Sequence, residues 1–282
     1  MTSRRKLRFD EIGYWSEIKL DILKEYARAY STIFSSKHQA RFHHLYVDAF
    51  AGAGVHLSKA TREFVPGSPL NALRVEPPFK EYYFIDLDGR KVEFLKRTVG
   101  DRSDVHIYHG DCNDLLLREV FPNVRYEDYR RGLCVLDPYG LHLNWEVIRT
   151  AGQLRTIDLF LTFPVMDINR NALWRHPEKL GEVSLQRMNA FWGDDSWRQV
   201  AYKPDPTLFG DVDVRTEPAA VPEAFQNRLR QVAGFPHVPK PLPMRNSAGA
   251  IVYYLFFASQ NPAGLGVAEY LLRKYQHHGA RP

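Results

Sequence analysis

The chain has 282 residues, of which 44% are hydrophobic and 25% charged, and this composition is typical of a folded globular protein and excludes a disordered one. Its two cysteines, Cys112 and Cys134, exclude a disulfide-rich scaffold and a zinc site built from cysteines alone, and they favour a reducing compartment. The formal net charge is +5 and four basic residues lie within residues 1–9, so the rest of the chain is nearly neutral and gives only weak support for nucleic-acid binding.

Hydropathy argues against a membrane partner. The longest apolar stretch, residues 248–258, is far shorter than the roughly 20 residues that cross a bilayer. No apolar run follows the basic N-terminus, so we expect no secretory signal. The sequence therefore predicts a soluble, cytoplasmic protein.

The first half of the chain predicts alternating helices and strands. An amphipathic helix at residues 16–37 is followed by short β-rich runs, and Ser16 is its predicted N-cap. The runs are residues 45–50, 82–86, 105–108, 133–136 and 157–163. The helical stretches between them are residues 68–75, 89–99, 113–120 and 144–154. Strands that alternate with helices predict βαβ units and an α/β fold with a parallel sheet.

The second half has a different character. Residues 169–203 are predicted to be helical, residues 203–222 to form a proline-rich loop, and residues 225–232 to form a helix. A strand at residues 250–258 and a helix at residues 266–277 close the chain. We therefore expect four parts: an N-terminal basic arm and helix (1–40), a first part of the core (41–168), a helical or loop insertion (169–222) and a C-terminal part of the core (223–282).

The residues after four successive predicted strands are the candidate ligand site, because ligands of open parallel sheets bind beyond the carboxyl ends of the strands. The candidates in chain order are Asp48, Phe50, Gly52 and Gly54; Asp86 and Asp88; Asp111 and Cys112; and Asp137, Pro138 and Tyr139. Glycines let the backbone approach a ligand closely, and an acid after the second strand is placed to accept the hydroxyls of a ribose. For any single aspartate the alternative role is a helix N-cap.

Two nucleotide sites fit the sequence poorly. A dinucleotide site needs three glycines that run directly into a helix, with an acid about 20 residues later. Here the third glycine is missing, a loop to Gly67 precedes the next helix, and Asp86 lies 32 residues beyond Gly54. A nicotinamide dehydrogenase is therefore the weaker alternative. A P-loop is absent from the sequence, since the tripeptide Gly-Lys-Ser or Gly-Lys-Thr does not occur in it.

The pattern instead resembles class I S-adenosylmethionine-dependent methyltransferases. The resemblance implies a Rossmann-like fold with a mostly parallel seven-stranded sheet and helices on both faces, closed by strands at residues 244–246 and 250–258. It also implies S-adenosylmethionine as the cofactor, held by the loop of residues 48–54. Asp86 or Asp88 would then bind the ribose, and Asp111, with Cys112 beside it, would face the adenine.

The segment Asp137, Pro138 and Tyr139 resembles the (Asp/Asn)-Pro-Pro-(Tyr/Phe) motif of amino-methyltransferases, with one proline absent. The resemblance implies that Asp137 and the Pro138 carbonyl accept hydrogens from the target amine and that the Tyr139 ring stacks on the target. Gly140 follows Tyr139 directly, which leaves the placement of the ring open. The alternative is a simple turn that ends a strand.

Most of residues 16–165 resembles the three-Cys-motif partner (TcmP) family. The matching segments are residues 19–26, 46–54, 67–70, 84–88, 110–111 and 136–140. The family resembles class I methyltransferases and is associated with a separate protein that bears a three-cysteine, radical-SAM-like motif. The resemblance therefore implies such a protein as a partner, but it fixes no substrate.

The insertion is the predicted substrate-selecting part. It holds Trp174 and Arg175 among several tryptophans and arginines, and with Tyr139 and Phe163 these are the candidate substrate-binding residues. Aromatic rings between arginines can bind nucleic acid. The alternative is a helical lid packed by its tryptophans. The histidines lack ligand partners at metal-binding spacing, so we expect no metal.

The sequence as a whole favours an S-adenosylmethionine-dependent methyltransferase that acts on a nitrogen, with a nucleic-acid base as the preferred target. The alternative is a non-catalytic module that keeps the methyltransferase fold and binds the three-Cys-motif protein.

Overall fold

A computed structural model describes residues 7–39, 41–171, 173, 181–207, 210–246 and 248–276. The chain divides into two compact units. The first unit comprises Met1–Val135 and Val267–His277, and the second comprises Leu136–Gly266 and His278–Pro282.

The first unit contributes four strands to the large sheet, namely β2 (His43–Asp48), β5 (Glu81–Asp86), β6 (Val105–His109) and β7 (Arg130–Leu136). β2 pairs in parallel with both β5 and β7, and β6 pairs in parallel with β5. In β2, Leu45, Tyr46 and Val47 are all buried. Such a continuous buried run is typical of a parallel strand that is covered on both faces.

A small second sheet in this unit corrects the loop predicted between Gly54 and Gly67. β3 (Val55–Ser58) and β4 (Phe64–Pro66) form an antiparallel hairpin, and β1 (Glu11–Ile12) pairs in parallel with β3. The hairpin was missed because its strands have only four and three residues, too few to show a clear period of two.

The helices of the first unit are α1 (Tyr14–Ser35), α2 (Ser68–Ala72), α3 (Gly89–Val99) and α4 (Cys112–Leu115). A π-helical turn, Leu116–Val120, and a 3₁₀ turn, Phe121–Asn123, continue α4. The predicted N-cap of α1 is wrong, because the helix begins two residues earlier and Gly13, not Ser16, is its N-cap. Ile18, Ile22 and Tyr26 of α1 are buried, as expected of the amphipathic helix that the sequence predicts.

The second unit contains helices and strands in nearly equal number. They are α5 (Trp145–Leu154), β8 (Ile157–Phe163), α6 (Val165–Asn171), α7 (Glu182–Trp192), α8 (Trp197–Ala201), β9 (Tyr202–Thr207), β10 (Gly210–Arg215), α9 (Ala220–Gln231), β11 (Leu242–Arg245) and β12 (Ile251–Ala258). β12 pairs antiparallel with both β8 and β11. The last helix, α10 (Pro262–Gln276), begins in this unit and ends in the first.

β9 and β10 form an antiparallel hairpin, which corrects the loop predicted at residues 203–222. Pro204 and Pro206 pointed to a loop, yet both lie in β9. They are two residues apart, so their nitrogens lie on the same side of a strand that pairs on one side only. Proline is tolerated on such an edge because its nitrogen has no hydrogen to donate.

The large sheet has seven strands in the order β11-β12-β8-β7-β2-β5-β6 and is mostly parallel. This confirms the predicted α/β class and the number of strands. The sequence bounds of β11 and β12 are close to those predicted for the two closing strands. Within the described residues we find no helix with both the length and the apolarity that a membrane span requires.

Candidate functional site

Asp48 organises the glycine-rich loop that follows β2. Its side chain is only 1% exposed, and its Oδ1 accepts a hydrogen bond from the backbone N–H of Phe50 at 3.1 Å. The next loop amide, Ala51 N–H, donates to the carbonyl of Ile85 in β5 at 2.9 Å. The sequence predicted Asp48 and Phe50 as cofactor residues, and in the structure the buried carboxylate holds the shape of the loop.

The two glycines of this loop have different roles. Gly52 has φ +63° and Gly54 has φ +77°. Residues other than glycine disfavour this left-handed conformation. A Cβ atom on Gly52 would meet nothing within 4 Å, whereas one on Gly54 would lie 2.7 Å from Leu95 and 3.3 Å from Leu70. Gly52 therefore leaves open space beside its backbone, and Gly54 is a packing contact.

The base of the β3–β4 hairpin closes directly behind the loop. Gly67 N–H donates to the carbonyl of Gly54 at 2.7 Å, and a Cβ on Gly67 would lie 3.0 Å from that oxygen. The chain thus leaves the glycine-rich loop as a hairpin and returns to it before α2 begins.

Asp86 joins the glycine-rich loop to the end of β5. Its Oδ2 accepts from Gly52 N–H at 2.8 Å, and its Oδ1 accepts from Asp88 N–H at 2.8 Å. The carboxylate is half-buried. Each carboxylate oxygen carries two lone pairs, so each can accept one further hydrogen bond, such as one from a ribose hydroxyl.

Asp88 serves as the N-cap of α3. Its Oδ1 accepts from Arg90 N–H at 2.9 Å, and its Oδ2 accepts from the Arg90 guanidinium at 2.9 Å. The side-chain hydrogen bond from Arg90 is the largest cause that holds the pKa of Asp88 below its usual value. Asp88 is therefore committed to its helix, whereas Asp86 connects the end of β5 to the glycine-rich loop.

Asp111 and Cys112 follow β6. Asp111 caps α4 by accepting from Asn113 N–H at 2.8 Å, and it is exposed. Cys112 is buried, and burial together with the charge of Asp111 raises the pKa of its thiol to about 12, so the thiol stays protonated. The preceding Gly110 N–H donates to the Asp86 carbonyl at 3.1 Å, which ties this strand end to that of β5. The first unit therefore brings the predicted cofactor residues together at one edge of its sheet.

The second unit carries Asp137, Pro138 and Tyr139, directly after β7. Asp137 is half-buried and Pro138 is buried, whereas Tyr139 is 70% exposed. A tyrosine ring with this exposure can stack against another aromatic ring. Gly140 follows with φ +117°, so the turn depends on glycine.

Asp167 of α6, which is not among the residues predicted from the sequence, supports this turn. Its Oδ2 accepts from Leu141 N–H at 3.3 Å, and a Cβ on Gly140 would lie 2.6 Å from the same oxygen. The signal that could have found Asp167 is its position four residues after β8, a further acid that follows a strand.

Phe163 is not a substrate-binding residue, which corrects the prediction. Its ring is fully buried, and ring centroids of Phe191, Phe225 and Phe256 lie 5.6, 4.8 and 5.8 Å from its own. This aromatic cluster is the core of the second unit, and it leaves no face of Phe163 for a substrate. Burial of this kind depends on tertiary contacts that the strand pattern does not reveal.

The described tryptophans of the predicted insertion also pack inward. Trp192 is 2% and Trp197 0% exposed. Their indole N–H groups donate to Ser196 Oγ at 3.0 Å and to Asn189 Oδ1 at 2.7 Å. These two rings therefore do not stack on nucleic acid, as the alternative of a packed helical segment anticipated. Trp174 and Arg175, the two candidates from this segment, lie outside the described residues.

No group of three or more histidine, cysteine, aspartate or glutamate side chains is arranged to hold a metal ion in the part of the chain that the structure describes. One buried histidine, His44, instead contacts Ser31 Oγ through its Nε2 at 2.8 Å.

No family model matches this chain. No curated protein matches it either. The resemblance to the three-Cys-motif partner family therefore rests on the sequence segments alone.

Solved structures that are similar to the chain include one from Legionella pneumophila and one from Listeria monocytogenes. Protein LPL1258 from Legionella pneumophila str. Philadelphia 1, of the family DUF519, has a TM-score of 0.51 at 12% sequence identity, over 92% of this chain and 93% of its own. A provisionally assigned S-adenosylmethionine-dependent methyltransferase from Listeria monocytogenes has a TM-score of 0.42 at 12% identity, over 86% of this chain and 99% of its own. At these identities the first likeness shows a shared fold alone, and the second is too weak to add to it.

Proposed function

We propose that this protein is a class I methyltransferase that uses S-adenosylmethionine, with the Rossmann-like core and helices on both faces of the sheet that this class has. The observation that carries the proposal is the Asp86 carboxylate, which accepts from Gly52 N–H and Asp88 N–H at 2.8 Å each. It stands beside a left-handed glycine with open space where a side chain would be.

The hairpin behind the glycine-rich loop supports S-adenosylmethionine over a dinucleotide. A pyrophosphate is held by the N–H groups of a helix that starts at the loop. Here the loop runs into β3, and the next helix, α2, has only five residues. A cofactor without phosphates needs no such helix, and a ribose needs only the hydroxyl acceptor that Asp86 supplies.

Each cofactor residue would have a role that follows from its position. Asp48 and Phe50 shape the loop, while Gly52 lets the cofactor approach the backbone and Gly54 seats the loop on Leu70 and Leu95. Asp86 binds the ribose, and Asp111 and Cys112 border the adenine.

The proposed reaction is methylation of a nitrogen, with a nucleic-acid base as the favoured acceptor. S-adenosylmethionine supplies a methyl group on a positively charged sulfur. Asp137 and the carbonyl of Pro138 accept hydrogens from the amine and so aim its lone pair, which is catalysis by orientation. The exposed ring of Tyr139 stacks on the base, and Asp167 holds the turn that carries all three residues.

The choice of substrate would lie in a different part of the chain. The segment 169–222, with Trp174 and Arg175, selects the acceptor. A protein with the three-cysteine, radical-SAM-like motif is the proposed partner, in the reducing cytoplasm that two unpaired, buried cysteines favour.

Calorimetric titration with S-adenosylhomocysteine tests the cofactor site. We expect micromolar binding, and we expect Asp86→Ala to weaken it about tenfold or more, since hydrogen bonds to a charged group contribute roughly 1.5–3 kcal/mol. Asp101→Ala, at an exposed acid in the same unit, is the matched control and should bind like wild type. Absence of binding to a folded wild-type protein would contradict the proposal.

The same titration separates the alternative function, a non-catalytic module for the three-Cys-motif protein. Leu87, between Asp86 and Asp88, is 73% exposed and is therefore accessible to a partner at the same strand end. If the folded protein does not bind S-adenosylhomocysteine, the module becomes the better account, and Leu87→Ser should then weaken the complex with that partner.

A further inference from the structure

A cleft of about 580 Å³ lies along strands β5 and β6 of the first unit. We call it the Tyr108 cleft and define it by Tyr83, His106, Tyr108, Asn123, Arg125 and Asp128, with Glu81 and Arg130 at its base. Glu81 and Arg130 are the first residues of β5 and β7, and Asp86 is the last residue of β5. Successive residues of a strand point to opposite faces of the sheet, so Glu81 and Tyr83 of the cleft lie on the other face of β5 from Asp86, and the two sites are distinct.

One wall of the cleft is made of aromatic rings. Tyr83 lies opposite His106 in the β5–β6 register, and Tyr108 lies two residues further along the same face of β6. The rings of Tyr83 and His106 are 4.7 Å apart, and those of Tyr83 and Tyr108 are 6.5 Å apart and parallel within 3°. Tyr83 is buried, whereas His106 and Tyr108 are half-buried and reach the cleft. The wall therefore offers two half-buried rings, those of His106 and Tyr108, to a flat molecule.

The charges that line the cleft are balanced in pairs. Glu81 forms an ion pair with Arg130 and accepts from Tyr83 Oη at 2.8 Å. Arg125 pairs with Asp128 at 2.7 Å. Burial acts to raise the pKa of Glu81, but the hydrogen bonds from Tyr83 and Arg130 outweigh it and the pKa lies below its usual value. Since each cation already has an anion, the cleft offers no surplus charge to an ionic ligand.

Polar groups of both kinds remain for a neutral ligand. Burial raises the pKa of Tyr108, so its phenol keeps a hydrogen to donate. Asn123 donates from Nδ2 to the Glu119 carbonyl at 2.7 Å and keeps an amide oxygen as acceptor. Within the described residues, the ring nitrogens of His106 have no hydrogen-bond partner, so His106 can add one donor and one acceptor.

We propose that the Tyr108 cleft binds a neutral, planar heteroaromatic molecule of the nucleoside class, by stacking on its aromatic wall and by hydrogen bonds at its rim. A volume of about 580 Å³ lies within the range of small-molecule sites. Nucleosides carry the flat ring and the alternating donors and acceptors that the wall and rim complement. The cleft is independent of the proposed methyltransferase function, because it shares none of the cofactor residues.

The test is saturation-transfer NMR on the full chain with inosine and with cytidine, in the presence of excess S-adenosylhomocysteine to fill the cofactor site. We expect signal from at least one nucleoside. Tyr108→Ala should weaken its binding about fivefold or more, as removal of a stacking ring does at base-binding sites. Tyr270→Ala, at a tyrosine that is 64% exposed on α10, is the control and should leave binding unchanged.

A second variant covers the case in which Tyr108→Ala does not fold. Asn123→Phe changes an exposed rim residue and fills the cleft, and it should abolish the signal without touching the sheet. Absence of signal from both nucleosides would overturn the proposal, and so would loss of the signal in Asp86→Ala with retention in Tyr108→Ala. Binding of the 5′-monophosphates tenfold tighter than the nucleosides would overturn the assignment of a neutral ligand.

Discussion

Asp137 is the residue on which the proposed reaction depends. It is half-buried, follows β7, and precedes a buried proline and an exposed tyrosine. A carboxylate that orients an amine contributes to the methyl transfer and not to the binding of the cofactor.

We therefore expect Asp137→Ala to lose methyl transfer to its acceptor while its affinity for S-adenosylhomocysteine stays within about twofold of wild type. Transfer of labelled methyl groups to RNA, DNA and protein fractions, followed by calorimetry, measures both. Asp195→Ala, at an exposed acid of the same unit, is the control. Unchanged turnover in Asp137→Ala would remove this residue from the mechanism.

The choice between Asp86 and Asp88 shows what the sequence could not decide. Both acids follow the same strand, so spacing alone gives them equal claims on a ribose. Only the structure shows that Asp88 caps α3 and binds Arg90, while Asp86 reaches across to Gly52. The role of a carboxylate depends on which donors the fold brings to it, and the donor that distinguishes Asp86, the Gly52 N–H, lies 34 residues away in the chain.

At the scale of elements, α5 depends on a glycine that touches the backbone of another segment. A Cβ on Gly152 would lie 1.9 Å from the carbonyl oxygen of Ala233, closer than atoms can approach. Gly266 in α10 is the matched case, since a Cβ there would meet nothing within 4 Å.

Gly152→Ala should therefore destabilise the protein by at least about 2 kcal/mol, because the backbone of Ala233 must move. Gly266→Ala should stabilise it by about 0.5–1 kcal/mol, because alanine favours the helix over the unfolded chain. Urea unfolding of the two variants beside wild type measures both effects. Equal changes in the two variants would show that α5 does not pack closely at Gly152.

The predicted elements succeeded where local signals at both ends agreed. α3 has the predicted bounds because Asp88 caps its start and Gly100, with φ +71°, follows its end. β8 also has the predicted bounds, Ile157–Phe163, as a continuous buried apolar run. The two hairpins were missed because β3 and β4 are too short for a period and β9 contains prolines that an edge tolerates.

At the scale of the whole molecule, His44 makes stability depend on pH. It is fully buried against Ser31, and burial, aided by the charge of Lys80, lowers its pKa from 6.5 to about 4. In the unfolded chain His44 binds a proton near pH 6.5, whereas in the folded protein it binds one only near pH 4. The stability that a neutral His44 supports is thus present above pH 6.5 and is lost progressively as the pH falls to about 4.

We expect His44→Gln to have lower stability at neutral pH but a shallower decline between pH 6.5 and 4 than wild type. Urea unfolding at these two pH values gives the slope. His38→Gln, at an exposed histidine, should keep the wild-type slope. Identical slopes in wild type and His44→Gln would show that His44 takes up its proton without unfolding.

The division of the first unit into two stretches of sequence bears on how the protein is made. Val267–His277 belongs with Met1–Val135, and near its end Lys274 Nζ and Tyr275 Oη donate to the Glu25 carboxylate of α1 at 2.7 and 2.6 Å. A ribosome must therefore synthesise Leu136–Gly266 of the second unit before it supplies the last helical stretch of the first. During translation, α1 has no such partner until residues 267–277 have been made, so the unit that holds the glycine-rich loop cannot be completed before then.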